Sequence, residues 1–173
     1  MRKFYLSLSL GLVLGLTACA GKKVVKESDA DKTPMDQSQI TTPKATPDEP
    51  SLRGKEYQEV AQIQPVYFDL DQSTLRSDAR DTLQKNYAEI SKNANWEVLI
   101  EGHCDQRGTT EYNLALGQRR AASIRAYYIG LGLDGGKIAT ISYGKESPVC
   151  DQPSEDCWAK NRRGMTKVRE KTQ

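Results

Sequence analysis

A single histidine, four cysteines and no apolar run long enough to cross a bilayer set the first limits on what this 173-residue chain can do. Zinc sites draw on Cys/His pairs a few residues apart, with a second pair elsewhere. Here the one histidine, His103, adjoins Cys104 in a stretch patterned as a strand, where neighbouring side chains point to opposite faces. That alternation excludes a shared metal, and equally a Cys–His nucleophile and base within hydrogen-bond reach. There is no glycine-rich phosphate loop, no nucleophile motif around Ser142 or Tyr143, and no internal repeat. No metal, no cofactor and no catalysis are expected. Net charge is also scarce, with 25 Lys+Arg against 23 Asp+Glu. Arg2 and Lys3 fall in a segment read below as removed, which leaves 23 of each sign. A neutral remainder offers no electrostatic footprint for nucleic acid or an anionic lipid surface.

What is present begins with targeting. The basic "MRK" is followed by the apolar "FYLSLSLGLVLGL" and then by "TAC". The run is too short and too rich in Ser and Gly to span a bilayer, so residues 1–18 read as a cleaved signal peptide. "LTAC", Leu16 to Cys19, resembles a bacterial lipobox, whose cysteine is lipidated and becomes the new N-terminus. The alternative is an ordinary secretory signal in which Cys19 is incidental. By the sorting rule for such lipoproteins, Ala20 in place of Asp implies the outer membrane. Residues 19–56 carry Pro34, Pro43, Pro47 and Pro50 and almost no large apolar side chain. Such a segment buries too little surface to fold and reads as an anchor plus disordered tether. About 36 residues of flexible chain have an end separation of roughly 35 Å and stretch to about 120 Å.

Residues 57–173 are patterned as one domain. "PVYFDLD" (65–71) is a short strand, and residues 77–94 repeat apolar side chains at helical spacing: Ala79, Leu83, Tyr87, Ile90 and Ala94. "WEVLIEGHCD" alternates as a strand, with Val98, Ile100, Gly102 and Cys104 on one face and Leu99, Glu101, His103 and Asp105 on the other. A second helix follows, with the stripe Leu114, Gly117, Ala121, Ile124, Tyr128 and Leu131 and with Gly130 and Gly132 at its end. "KIATISYG" is a third strand, and the tail holds a helical turn and a last, polar strand. The fold class is an α/β sandwich with helices over one face of a small sheet. In the oxidising compartment implied by export, Cys150 and Cys157 bracket "CDQPSEDC" and are expected to form a disulfide. Closing so short a loop contributes about 2.5 kcal/mol. The alternative is two free thiols flanking a mobile loop, and Cys104 stays single either way.

Binding is the chemistry left open. Asp105 stands where the second strand ends, and Asn113 and Arg120 project in nearly the same direction from the second helix. A carboxylate and a guanidinium facing one cleft suit a zwitterion, Asp105 taking an ammonium and Arg120 a carboxylate. The competing reading, a structural ion pair between Asp105 and Arg120, is favoured by composition alone.

The stretch "EGHCDQRGTTEYNLALGQRRA", followed by "SYGKE" and "NRR", closely resembles the peptidoglycan-associated lipoproteins among the OmpA-like peptidoglycan-binding domains, over about residues 64–170. The resemblance implies a βαβαβ(α)β domain with a small mixed sheet that binds stem peptides of the cell wall without catalysis. It implies that Asp105 and Arg120 grip the free amino-acid end of diaminopimelate. Phe68 and Asp69 match a motif on the loop that walls the pocket. Arg107, Thr109, Asn113 and Leu116 match positions near the ligand or supporting its loop. Arg162 and Arg163 match two arginines of which at least one is structural. It further implies tethering of the outer membrane to the wall, and a role in the Tol–Pal system and cell division with a periplasmic Tol propeller protein as partner. Two departures stand out: "GMTKVREKTQ" is polar where the family has an apolar strand, so a short or edge strand is expected, and the loop 150–157 occurs in only part of the family. A protein-docking module that uses the same surface and ignores the wall is the other reading. If Cys19 carries the anchor, Cys19→Ser releases a soluble periplasmic form on cell fractionation; recovery of that variant with the membranes contradicts it.

Overall fold

The computed structural model describes residues 56–171. The signal segment 1–18, Cys19 and the tether up to residue 55 lie outside the described residues. The described chain alternates strands and helices: β1 (Val66–Tyr67), α1 (Ser77–Ile90), β2 (Trp96–His103), α2 (Thr110–Leu131), β3 (Ile138–Gly144), α3 (Glu155–Asn161) and β4 (Arg163–Glu170). One sheet orders the strands β1-β4-β2-β3, with β2 and β3 parallel and the other pairs antiparallel. Parallel neighbours need a crossover, and α2 supplies it. Among the described residues no helix is long and apolar enough to cross a membrane.

Local signals place α2 accurately. The Thr109 hydroxyl caps it by accepting a bond from the Tyr112 N–H, and Gly132, at φ 108°, ends it in a left-handed conformation that favours glycine. Gly130 remains inside the helix. α1 stops at Ile90, four residues short of the expected end. There Ser91 turns its hydroxyl back to the Tyr87 carbonyl, and the Asn93 N–H bonds to Ile90, so local polar contacts replace the next helical turn.

The core lies between α1, α2 and one face of the sheet. Val66, Val98, Ile100, Ile138 and Val168 from the strands meet Ala79, Leu83, Ala121, Ile124 and Tyr128 from the helices. Burial of each large apolar side chain contributes about 1.5–3 kcal/mol. The buried Tyr128 hydroxyl is satisfied by Thr166 at 3.1 Å. Two glycines set how close α2 comes. A Cβ on Gly102 would stand 1.9 Å from the Gly117 carbonyl oxygen, and one on Gly117 would stand 2.2 Å from Ser142 Oγ. Helix backbone therefore rests directly on strand backbone. That contact fixes the rotation of α2 and overturns one expectation: Leu114 is 39% exposed, while Leu116 is buried in its place.

The last strand also differs from the reading of a short or edge element. β4 runs for eight residues in the interior of the sheet, between β1 and β2. Its polarity has a register explanation. Gly164, Thr166 and Val168 share the core face with their partners Gly102, Ile100 and Val98, whereas Lys167 and Arg169 lie opposite Leu99 and Glu97 on the other face. On that face Arg169 pairs with Glu97 at 2.7 Å and Lys167 with Glu101 at 3.1 Å. His103, 2% exposed, stacks there on Tyr143 at 5.3 Å between centroids. Burial pushes the His103 imidazole below its usual value, with Arg163 and Lys167 acting in the same sense and Glu101 against it. Cys150 and Cys157 are bridged, with 5.3 Å between their Cα atoms, at the entry to α3.

Because the contact at Gly102 is backbone against backbone, no side-chain rotation relieves an added methyl group. Gly102→Ala is expected to cost about 3 kcal/mol or more, read as a lowered urea midpoint with an unchanged slope.

Candidate functional site

The C-terminal end of β2, the start of α2 and the loop after β1 enclose a cleft of about 170 Å³. Asp105, Arg107, Asn113, Leu116, Arg120 and Arg162 line it, six of the residues singled out from the sequence. Phe68, Asp69, Thr109 and Arg163 do not. Phe68 is a buried core residue whose ring lies under Arg120, 5.1 Å from the guanidinium carbon. The Asp69 carboxylate is exposed and paired with Arg76 at 2.8 Å. Thr109 serves as the α2 cap. Arg163 is buried, donating from Nη2 to the Ser147 carbonyl at 3.3 Å, with Nε and Nη1 lacking a hydrogen-bond partner among the described residues.

Arg120 has no exposed surface. Its Nε donates to the Gln72 carbonyl at 2.8 Å, Nη1 to the His103 carbonyl at 2.7 Å and Nη2 to the Asp69 carbonyl at 3.1 Å. Nη1 also lies 3.5 Å from the Cys104 sulfur. No carboxylate of the described residues pairs with it. Burial pushes the guanidinium below the usual arginine value, and the neighbouring Cys104 and Arg162 act on it in opposite directions. Arginine nevertheless keeps its charge in proteins. The floor of the cleft is therefore a fixed cation held by neutral dipoles.

Asp105 is equally buried but is paired otherwise than expected. Its Oδ1 accepts from the Arg107 backbone N–H at 3.1 Å and from Arg107 Nε at 3.2 Å; its Oδ2 accepts from Arg107 Nη2 at 2.6 Å and from Arg162 Nη1 at 3.2 Å. The ion pair between Asp105 and Arg120 is thus absent, and Arg107 and Arg162 take its place. Burial alone would raise the Asp105 carboxyl; the hydrogen bonds from Arg107 and Arg162 outweigh it and hold the carboxyl below the usual carboxylate value. Arg162 is a junction, donating also from Nε to the Phe68 carbonyl at 3.2 Å and from Nη2 to Glu155 at 2.6 Å. Asn113 steadies the loop between Asp105 and α2, donating to the carbonyls of Arg107 at 2.7 Å and Thr109 at 2.9 Å. Gly108, at φ 84°, gives that loop its left-handed turn.

The sequence reading missed several residues here. Leu70 and Asp71, rather than Phe68 and Asp69, line the cleft from the loop after β1. Asp71 sits at φ 62°, a conformation that aspartate tolerates better than most residues, and it accepts a hydrogen bond from the Tyr112 hydroxyl. Cys104 also lines the cleft; burial raises its thiol pKa, which makes it a small buried neighbour rather than a nucleophile. On α3, Glu155 reaches Arg162, and the Trp158 ring lies 4.1 Å from the Arg107 guanidinium. No spacing rule along the chain links α3 to a strand end fifty residues earlier. The "FDLD" run was the one legible hint for Asp71.

The family model described as the OmpA family matches residues 67–162. A peptidoglycan-associated lipoprotein of Rhizobium meliloti is 50% identical over 103 residues, covering 58% of this chain and 57% of that protein; the chain thus spans little more than half the length of that relative. One from Agrobacterium fabrum is 38% identical over 161 residues, covering 92% of this chain and 84% of its own. The crystal structure of the peptidoglycan-associated lipoprotein from Burkholderia pseudomallei superposes with a TM-score of 0.58 at 37% identity, covering 61% of this chain and 89% of that one. The C-terminal domain of Helicobacter pylori MotB, at 18% identity and a TM-score of 0.58, shares the fold.

The lowered Asp105 carboxyl has a consequence for acid stability. Its folded value lies below the unfolded value of about 3.9, so its contribution is fully present above that pH and is lost as pH falls through the folded value. Urea unfolding across an acid pH series should show a steeper loss below about pH 4 for the native chain than for Asp105→Asn. Parallel acid limbs count against the Asp105 network.

Proposed function

The chain belongs to the OmpA family, and from that premise we propose that it is a lipid-anchored tether between the outer membrane and peptidoglycan. The wall is held without covalent chemistry, through the zwitterionic end of diaminopimelate in a stem peptide. Arg120 is the observation that carries this reading: a buried cation without a carboxylate partner among the described residues, on the floor of a cleft whose wall holds Asp105. A buried charge is costly unless it meets an opposite one, and a ligand carboxylate supplies it. Asp105 provides the complementary seat for an ammonium. Diaminopimelate bears both groups on one carbon, as a cleft with both charges requires.

The remainder of the proposal extends along the chain. Lipid on Cys19 holds one end in the outer membrane on its periplasmic face, and the tether lets the domain reach the wall. Within the Tol–Pal system the protein serves envelope integrity and cell division alongside a periplasmic Tol propeller protein.

The test is sacculus pull-down with the full-length chain. Hydrogen bonds to charged groups contribute roughly 1.5–3 kcal/mol, so Asp105→Ala should weaken retention about 10- to 150-fold. Excess diaminopimelate stem peptide should release the native chain from sacculi. Arg120→Lys, which keeps the charge and loses the fork, is a better partner variant than Arg120→Ala, which would remove the cation along with all three bonds to the Asp69, Gln72 and His103 carbonyls. Retention unaffected by Asp105→Ala and by the peptide defeats this site. Absence of any retention favours the protein-docking reading.

A further inference from the structure

Asp105 already accepts four hydrogen bonds, three of them from Arg107 and one from Arg162. A carboxylate offers about four lone-pair sites, so an arriving ammonium finds no vacant acceptor until a donor leaves. Arg162 is poorly suited to leave: it is 7% exposed and also bound to the Phe68 carbonyl and to Glu155. Arg107 is the looser of the two, with its side chain 35% exposed. It also touches other partners that remain if the Asp105 bonds are lost. The Trp158 ring lies 4.1 Å from its guanidinium carbon, and Glu155 Oε2 lies 3.7 Å from its Nη1.

We infer that Arg107 is the resident occupant of the ammonium seat on Asp105, and that a ligand enters by breaking those bonds, leaving Arg107 on the Trp158 ring and Glu155 that it already touches. The inference rests on the cleft being a site for an amino-acid end. It assigns Arg107 a role other than direct attraction: Arg107 sets specificity by competition. A simple amine that expels Arg107 leaves its guanidinium with only the 3.7 Å contact to Glu155, a carboxylate that Arg162 already shares. A zwitterion also brings a carboxylate, which meets Arg120 and so lowers the positive charge left in the same small cleft. The charge count agrees. Asp71, Asp105 and Glu155 face Arg107, Arg120 and Arg162 across the cleft and its rim, so a neutral zwitterion preserves the balance and a monoamine upsets it. Arg107 thereby separates diaminopimelate, which ends in ammonium plus carboxylate, from lysine, which ends in ammonium alone.

The experiment uses the full-length chain and two synthetic stem peptides that differ only in carrying meso-diaminopimelate or lysine at the third position. The native chain is expected to prefer the diaminopimelate peptide. Arg107→Ala should bind the lysine peptide about 10-fold tighter than the native chain does, narrowing the preference, and Arg107→Lys should restore it. In the native chain, saturation with the diaminopimelate peptide should shift the Arg107 Nε–H proton resonance, because its bond to Asp105 is broken. An unmoved resonance at saturation overturns the displacement, whether or not the variants fold. An unchanged peptide ratio in Arg107→Ala, with the native chain still binding diaminopimelate, overturns the competition while leaving the proposed function intact. If the native chain binds neither peptide, the reading of the cleft fails and this inference fails with it.

Discussion

One guanidinium ties this domain's cleft together. Arg120, without exposed surface, donates to carbonyls of Asp69, Gln72 and His103, so a single side chain on α2 fixes the loop after β1 against the end of β2. Its loss would remove three hydrogen bonds at once, leaving the Asp69 carbonyl with only the Gln72 N–H at 3.2 Å. The approach that makes this reach possible is the glycine contact between Gly102 and Gly117, one helical turn before Arg120. A larger residue at either position would lift α2 and carry the guanidinium away from the carbonyls it satisfies.

Charge in the cleft is partitioned, with one cation left out of the pairing. Arg120 is held by dipoles, Asp105 by two other arginines, and Glu155 completes the set from α3. The disulfide between Cys150 and Cys157 closes the loop that delivers α3, so a covalent clip outside the cleft limits where Glu155 and Trp158 can go. The opposite face of the sheet shows the same economy of charges. Glu97 with Arg169 and Glu101 with Lys167 let a polar strand occupy an interior position, because these charges meet opposites on the neighbouring strand.

Much of this was legible along the chain. Strand alternation separated Cys104 from His103, and Gly132 marked the end of α2. The signature around Asp105 and Arg120 put both residues on one cleft. Three features were not legible. Leu114 fits the helical stripe as well as Leu116 does until the glycine contact fixes the rotation of α2. The polar tail looks like an edge strand until its register places Lys167 and Arg169 beside Glu101 and Glu97. Asp105 and Arg120 look like partners until Arg107 and Arg162, one local and one remote, take the carboxylate first.

The sequence by itself determined periodicity, the glycine end of α2 and the family signature, because each of these depends on residue types at short separations along the chain. Tertiary structure alone decided which carboxylate meets which guanidinium, that Leu70 and Asp71 rather than Phe68 and Asp69 line the cleft, and that α3 stands at its rim. Those outcomes depend on distances between segments up to ninety-four residues apart, as in the bond from Arg162 to the Phe68 carbonyl. Only packed backbones set such distances; spacing along a chain carries no record of them.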